Sequence, residues 1–432
     1  MKPAGRREFL LCAGAAPEVL REAAERAGVS YPSAGLRREN IKITDIQVTP
    51  LSYVDPKRNL WRTDRYIVWK TDAALCRVFT DRGIVGIAEG TPYAGPDKIK
   101  TYTEETIKPI LIGQNPFDVD FIAFGGGGAD RLISAAWAGV NNACWDILGK
   151  ALNTPVYKLL AKDTKPDPHI RIYASGGVEH EWYNQGDEFL IEEALRYQRQ
   201  GFTAFKFRSG TAWQHSKLTL KQYLPVMRRL RAAVGPRFEL IHETLRAQPV
   251  TLDEVLNEFC PLAEELKFHW FEQPMKTLEE YAAVNRALKT VPVSGGESDR
   301  NRFEIKPWMD SDAIDIVQTD CNVTGLSENW HIARMAHLRR KLLCPHNWHG
   351  GLTTIANAHL VAAIPNRHML ELNQTYNPLK EEIFQDPLVV RKGYMDLPDR
   401  PGYGVELVPG VEKKFPWTPG SYLRPNPLLE KS

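Results

Sequence analysis

At 432 residues the chain is long enough for roughly two to three folding units, each able to bury a sizeable core. Its 55 Lys and Arg against 53 Asp and Glu leave a formal charge of +2 with no long like-charge run, which excludes a nucleic-acid footprint and a polybasic membrane patch. No apolar stretch reaches the roughly 20 residues of a bilayer-spanning helix, so the composition points to a soluble protein acting on a small molecule.

The chain opens on Arg6-Arg7-Glu8-Phe9-Leu10-Leu11 followed by Cys12-Ala13-Gly14-Ala15-Ala16. This resembles a twin-arginine export signal with a small-residue cleavage pattern. The apolar stretch is short and charge returns at Glu18, so a cytoplasmic protein with an amphipathic or loose tail over 1–40 is the other reading. Ile41 to Val54 and Ala74 to Gly90 alternate like strands, the second run broken by the turn tripeptide Asp81-Arg82-Gly83. Helical spacing follows between Lys98 and Lys162, notably Ala135 to Leu148, so 41–165 reads as an α+β unit. The run Phe124-Gly125-Gly126-Gly127-Gly128 lacks the Gly-Lys-Ser/Thr ending of a phosphate loop and reads as a connector.

Over 166–376 short apolar runs alternate with helical stretches: Ile170 to Ala174, Ala204 to Phe207, Phe238 to Ile241, Phe268 to Phe271, Val291 to Val293, Ile314 to Val317, Leu342 to Cys344 and Met369 to Leu372. Parallel βαβ units are implied, and eight of them predict a closed (β/α) barrel, which makes the fold class α/β. The remainder, 377–432, is rich in Pro and Gly, is not helical in pattern, and is expected to fold back on the N-terminal unit. Cys12, Cys76, Cys144, Cys260, Cys321 and Cys344 are scattered without a CxxC pair, which argues against both disulfides and zinc.

Glu243, Glu272, Glu297, Asp320, His346 and Glu371 each fall at or just past the end of an apolar run, spaced by 29, 25, 23, 26 and 25 residues. One β/α unit occupies roughly 30 residues, so the spacing sets these groups on successive strands opening on one face. Carboxylates converging there repel unless a cation neutralises them, and all-oxygen ligands favour Mg²⁺. Glu243, Glu272 and Glu297 are the predicted ligands. Asp320 would orient His346 as a general base, with His349 as a competitor for that role. Lys206 and Arg208 lie two apart on one strand and so face the same way, with Phe207 outward. His331 and His337 lie in a helical stretch and are expected to serve packing or the surface.

These stretches together resemble the enolase superfamily, mandelate racemase subgroup. The likeness rests on Asn142-Ala143-Cys144-Trp145-Asp146, Trp270-Phe271-Glu272-Gln273-Pro274, Gly295-Gly296-Glu297, Gln318-Thr319-Asp320 with Thr324-Gly325, His346 and Leu370-Glu371, and it extends from about Ile43 to Gly410. It implies an α+β cap closed by the C-terminal segment, with specificity loops at Asp55 to Asp72 and Thr91 to Asp97, and a symmetric homo-oligomer. It also implies a hydroxy-acid or sugar-acid substrate, abstraction of the α-proton, and Glu371 bonded to a substrate carboxylate oxygen. Two departures stand out. Ile241-His242-Glu243-Thr244-Leu245 occupies the place of the usual Asp-Ala-Asn, leaving His242 and Glu243 both open as first ligand. Arg208 replaces the basic Lys of a Lys-x-Lys pair, and arginine is almost never deprotonated. A dehydratase releasing a 2-keto-3-deoxy acid is therefore expected. The rivals are a racemase, epimerase or cycloisomerase using Lys206 as second base, and a barrel that has lost catalysis.

Overall fold

The computed structural model describes residues 17–55, 61–62, 66–122, 130–162, 164–178, 186–211 and 213–426. The twin-arginine-like segment and the run 124–128 lie outside these residues. Residues 17–40, read as a tail, carry a helix at Pro17–Arg26, and Arg21 and Arg38 both pair with the buried Asp118.

The N-terminal layer holds strands β1 (Ile43–Val54), β2 (Trp61–Arg62), β3 (Tyr66–Val68), β4 (Lys70–Thr80) and β5 (Val85–Gly90). β1, β4 and β5 form an antiparallel sheet in that order, with the predicted turn joining β4 to β5. Helix α1 (Arg131–Ala151) lies directly on β5 and is N-capped by Asp130. The approach is so close that a Cβ on Gly90 would stand 1.9 Å from the Ala135 carbonyl oxygen, and one on Gly86 2.1 Å from that of Ala143. Only glycine fits at these two points.

Eight parallel strands follow: β6 (His169–Gly176), β7 (Ala204–Arg208), β8 (Glu239–Glu243), β9 (Trp270–Glu272), β10 (Val293–Gly295), β11 (Ile316–Val317), β12 (Leu342–Leu343) and β13 (Leu370–Asn373). Each overlaps one of the eight apolar runs. β13 pairs back onto β6, and Leu343 bridges to Arg367 just before β13, so the ring closes. Tyr173, Ala204, Ile241, Trp270, Ile316, Cys344 and Met369 fill the barrel interior, while their chain neighbours pack outward against the helices. The five cysteines among the described residues are buried thiols.

The C-terminal segment contacts both layers. β14 (Val390–Arg391) and β15 (Tyr394–Asp396) extend the sheet from β6, and β16 (Leu423–Pro425) pairs with β3. The segment also contains single helical turns at Pro378–Glu381 and Val411–Lys414, where a non-helical chain was expected. The first follows an Asn377 N-cap and has Pro at its first position, a local start signal too short to register as periodicity. Asp146 of α1 ties the layers together, accepting from Ile87 N at 3.0 Å, Tyr403 N at 2.9 Å and Lys150 Nζ at 2.7 Å.

Candidate active site

Strand parity sets which side chains enter the barrel. On β8, Ile241 belongs to the interior cluster, so Glu243 points inward and His242 outward. His242 sits among Phe207, Phe259, Phe268 and Phe271, with Nε2 2.9 Å from the Tyr223 hydroxyl, and burial lowers its pKa to about 3. It is a packing residue, which leaves Glu243 as the group of that pair facing the mouth. The same rule puts Lys206 and Arg208 inward around an outward Phe207. Thr244 (φ 55°), Gln273 (φ 49°) and Gly296 (φ 107°) all take left-handed backbone where β8, β9 and β10 end. For the β-branched Thr244 this is a strained conformation, held at the barrel lip.

Lys206 is fully buried at the centre of an acidic cage. Its Nζ lies 2.6 Å from Glu272 Oε1, 2.9 Å from Glu371 Oε1 and 3.2 Å from Glu243 Oε2. Burial opposes its charge, but the three carboxylates outweigh that and hold its pKa well above the ordinary lysine value. Arg208 Nη2 reaches Glu243 Oε1 at 3.0 Å. Glu272 Oε2 accepts from Gln318 Nε2 at 2.5 Å and Trp270 Nε1 at 3.2 Å. Burial and the charges of Glu243 and Glu371 push Glu272 up against the pull of Lys206. Glu371 accepts from Ser175 Oγ at 2.6 Å and Asn347 N at 2.8 Å, and Lys206 and His346 lower its pKa despite burial. In this arrangement Glu371 is an acceptor whose two oxygens already have donors.

A second cluster lies beside the cage. His346 Nδ1 is 3.0 Å from Asp320 Oδ2 and its Nε2 is 3.8 Å from Glu297 Oε2. Burial works against the imidazolium, yet the Asp320 hydrogen bond and the charges of Glu297 and Glu371 raise His346 to about 9. Asp320 Oδ1 accepts from Asn357 Nδ2 at 2.9 Å and Asn322 N at 3.1 Å, which fixes the carboxylate that orients the ring. His349 lies 3.3 Å from Thr91 Oγ1, and burial lowers it to about 4. His331 is half-buried beside Trp330, as a packing residue would be. His337 lies in the last turn of helix Leu326–Leu338.

The structure does not bring Glu243, Glu272 and Glu297 together as a compact triad. Glu243 and Glu272 share Lys206, whereas Glu297 faces His346 and Arg246, the latter at 3.7 Å. Among the described residues, the acid and imidazole atoms that lie within 4.8 Å of one another belong to Asp320, His346 and His349. The donor set nonetheless fits a divalent ion. Five carboxylates (Glu243, Glu272, Glu297, Asp320 and Glu371) face three permanent cations, Lys206, Arg208 and Arg246, so acids exceed permanent cations by two. Glu243 Oε2 is buried and, beyond its ion pair with Lys206 at 3.2 Å, makes no hydrogen bond. Oxygen donors with net negative charge suit a hard divalent cation.

A cavity of about 520 Å³ opens over these groups. Trp61, Arg62 and Tyr66 line it from the first predicted specificity loop, and Thr91 and Tyr93 from the second. Sequence reasoning missed Trp348, Gln248, Arg246 and Tyr422, which also line it, and Ser175, Gln318 and Asn347, which hold the acids. Trp348 lies two residues past His346, a proximity that could have signalled it. Tyr422 reaches the site only through the pairing of β16 with β3, which no local pattern reveals.

Comparison with known proteins agrees with this architecture. The family profile "Enolase C-terminal domain-like" matches residues 190–411, and "Mandelate racemase / muconate lactonizing enzyme, N-terminal domain" matches 51–161. An arabinonate dehydratase of Saccharolobus solfataricus is 28% identical over 86% of this chain and 99% of its own length. A D-galactarolactone cycloisomerase of Agrobacterium fabrum is 29% identical over 77% of this chain and 88% of its own. The crystal structure of an enolase-superfamily member from Polaromonas sp. JS666 superposes with a TM-score of 0.76 at 29% identity, covering 88% of this chain and 98% of that one. Barrel, cap and both family profiles agree, and the chain belongs to the mandelate racemase and muconate lactonizing enzyme family of the enolase superfamily.

Proposed function

We propose that the protein is a magnesium-dependent sugar-acid dehydratase, a carbon–oxygen lyase converting a 2,3-dihydroxy acid to a 2-keto-3-deoxy acid and water. Members of the superfamily bind a divalent metal, and the acids at the barrel mouth outnumber its permanent cations. The observation that carries the reading is an asymmetry across the barrel mouth. His346 on the seventh strand is aligned by Asp320, whereas the second strand offers Arg208, which keeps its proton, and Lys206, held among three carboxylates. One competent base suffices for elimination, while racemisation needs one on each face. Similarity to the arabinonate dehydratase supports the same choice.

Glu243, Glu272 and Glu297 would hold the Mg²⁺, which when bound stabilises the negative charge that develops on the substrate carboxylate. With Glu297 engaged by the cation, one of the charges that favour the imidazolium would be offset, and neutral His346 would take the α-proton at Nε2 and return a proton to the departing β-hydroxyl. Asp320 fixes the ring tautomer through Nδ1. Arg208, which lines the cavity, receives the substrate carboxylate from the other side, while Lys206 holds Glu243, Glu272 and Glu371 in position and Glu371 is itself held by Ser175 and Asn347.

Incubation with a panel of pentonates and hexonates and assay of 2-keto acids tests the reading. His346→Asn is expected to lose at least about a hundredfold in kcat; undiminished turnover in that variant overturns the base assignment. A second reading, cycloisomerisation, is favoured by the likeness to the galactarolactone enzyme. Solvent deuterium entering at C2 without keto-acid formation would replace the dehydratase reading with one of that kind.

A further inference from the structure

We propose that the mouth carries a glycosyl subsite, so that the preferred substrate is a hydroxy acid bearing a pyranose ring and not a free aldonate. This deepens, and rests on, the sugar-acid dehydratase reading above. Trp61, Tyr93, Trp348 and Tyr422 all line the 520 Å³ cavity and belong to one packed apolar cluster, an aromatic wall. Trp61 meets Trp348 edge-on at 5.9 Å, and Tyr93 stacks on Tyr422 at 5.0 Å. An open-chain polyol presents hydroxyls in every direction and gains little from such a wall. A pyranose ring has an apolar C–H face that packs on aromatic rings and a hydroxyl rim that does not.

Three residues that line the cavity each hold a polar atom that makes no hydrogen bond within the protein. The Trp348 indole Nε1 is buried with no acceptor, in a side chain only 4% exposed. A buried indole N–H normally finds a partner. Arg208 Nε is also buried without an acceptor, its guanidinium 5.1 Å from the Trp348 ring and 5.7 Å from that of Trp61. Gln248 uses Nε2 on Ser209 Oγ and Gly210 O, leaving Oε1 buried with no donor. Two donors and an acceptor beside an apolar platform match the oxygens and hydroxyls of a sugar ring. Cavity size agrees, because about 520 Å³ lies within the roughly 300–1,000 Å³ range that encloses drug-sized ligands.

The wall begins two residues from His346, so the ring would sit next to the reacting carbons. A glycosyl group on O4 leaves the C2 proton and the C3 hydroxyl free. Loss of both as water gives the 4-O-glycosyl 2-keto-3-deoxy acid with the glycosidic bond intact.

The test uses the full chain with Mg²⁺ and two matched pairs, gluconate with maltobionate and galactonate with lactobionate. The glycosylated acid is expected to have a kcat/KM about tenfold higher or more, one to two aromatic contacts' worth. Trp348→Phe and Tyr422→Ala should each bring that ratio toward one. Calorimetric binding of the same acids to His346→Asn separates the two readings. Tighter binding of the bionates with no keto acid from any substrate keeps the subsite and removes the dehydratase. Turnover of hexonates with equal or weaker binding and turnover of bionates overturns the subsite and leaves the dehydratase standing.

Discussion

Glu89 ends β5 facing the barrel, and replacing it with glutamine tests how the two layers are joined. The side chain is 1% exposed; Oε1 accepts from Thr353 N at 2.9 Å and Thr353 Oγ1 at 2.6 Å, while Oε2 has no partner. Thr353 in turn accepts from Asn322 Nδ2 at 2.9 Å, and Asn322 N reaches Asp320. Burial raises Glu89 from an ordinary 4.5 to about 7, against the two Thr353 hydrogen bonds and with help from the charge of Asp320. The folded state therefore binds this proton more tightly than the unfolded one. Below the unfolded value there is no penalty; between 4.5 and about 7 stability falls as pH rises, by on the order of 3 kcal/mol in all. Glu89→Gln keeps the shape and the acceptor for Thr353 but cannot ionise. Urea midpoints of both proteins measured from pH 5 to pH 8.5 should show the variant gaining on the native protein by most of that amount. A gap that stays constant across pH, or narrows as pH rises, refutes the reasoning.

Three further outcomes follow from particular contacts. His242→Phe should cost about 1 kcal/mol, because it removes the hydrogen bond between the ring and the buried Tyr223 hydroxyl, while calorimetric Mg²⁺ affinity stays unchanged; a lost metal site would return His242 to the ligand set. Gly90→Ala should destabilise by about 3 kcal/mol or more, since its Cβ would meet the Ala135 carbonyl, and a melting temperature equal to that of the native protein would show that α1 can yield. Chelation should abolish turnover and lower the melting temperature, with Mg²⁺ restoring both, because removing the cation leaves the acidic surplus unbalanced. Full activity after exhaustive chelation removes the metal from the mechanism.

Much of the barrel was legible because its strands are buried on both faces, and such strands appear as short continuous apolar runs between helices. All eight registered, although β11 and β12 are only two residues long, because Ile314 to Val317 and Leu342 to Cys344 extend the apolar run beyond the paired residues. The polar ladder was legible for a related reason. An acid directly after a buried run has few places to go except the strand end. The C-terminal turns at Pro378 and Val411 escaped because a single turn has no period to detect.

Legibility stops where the answer depends on which strands face one another. Parity alone settles His242, since Ile241 lies inside the barrel and its neighbour must lie outside. The alternation Ile241, His242, Glu243 held that information once Ile241 was known to be interior. No such rule could show that Lys206 would gather Glu243, Glu272 and Glu371 while Glu297 turned to His346, because these six groups lie on or just past six different strands. Their pairing is a property of charge balance in a closed space, in which each carboxylate takes the nearest cation. The aromatic wall is still less local. Trp61, Tyr93, Trp348 and Tyr422 come from three strand ends and the C-terminal segment, and only the pairing of β16 with β3 brings the last of them to the mouth. The acids proposed to hold a cation were picked out by strand spacing, whereas the residues that would choose a substrate depend on how the cap and the C-terminal segment close over the barrel.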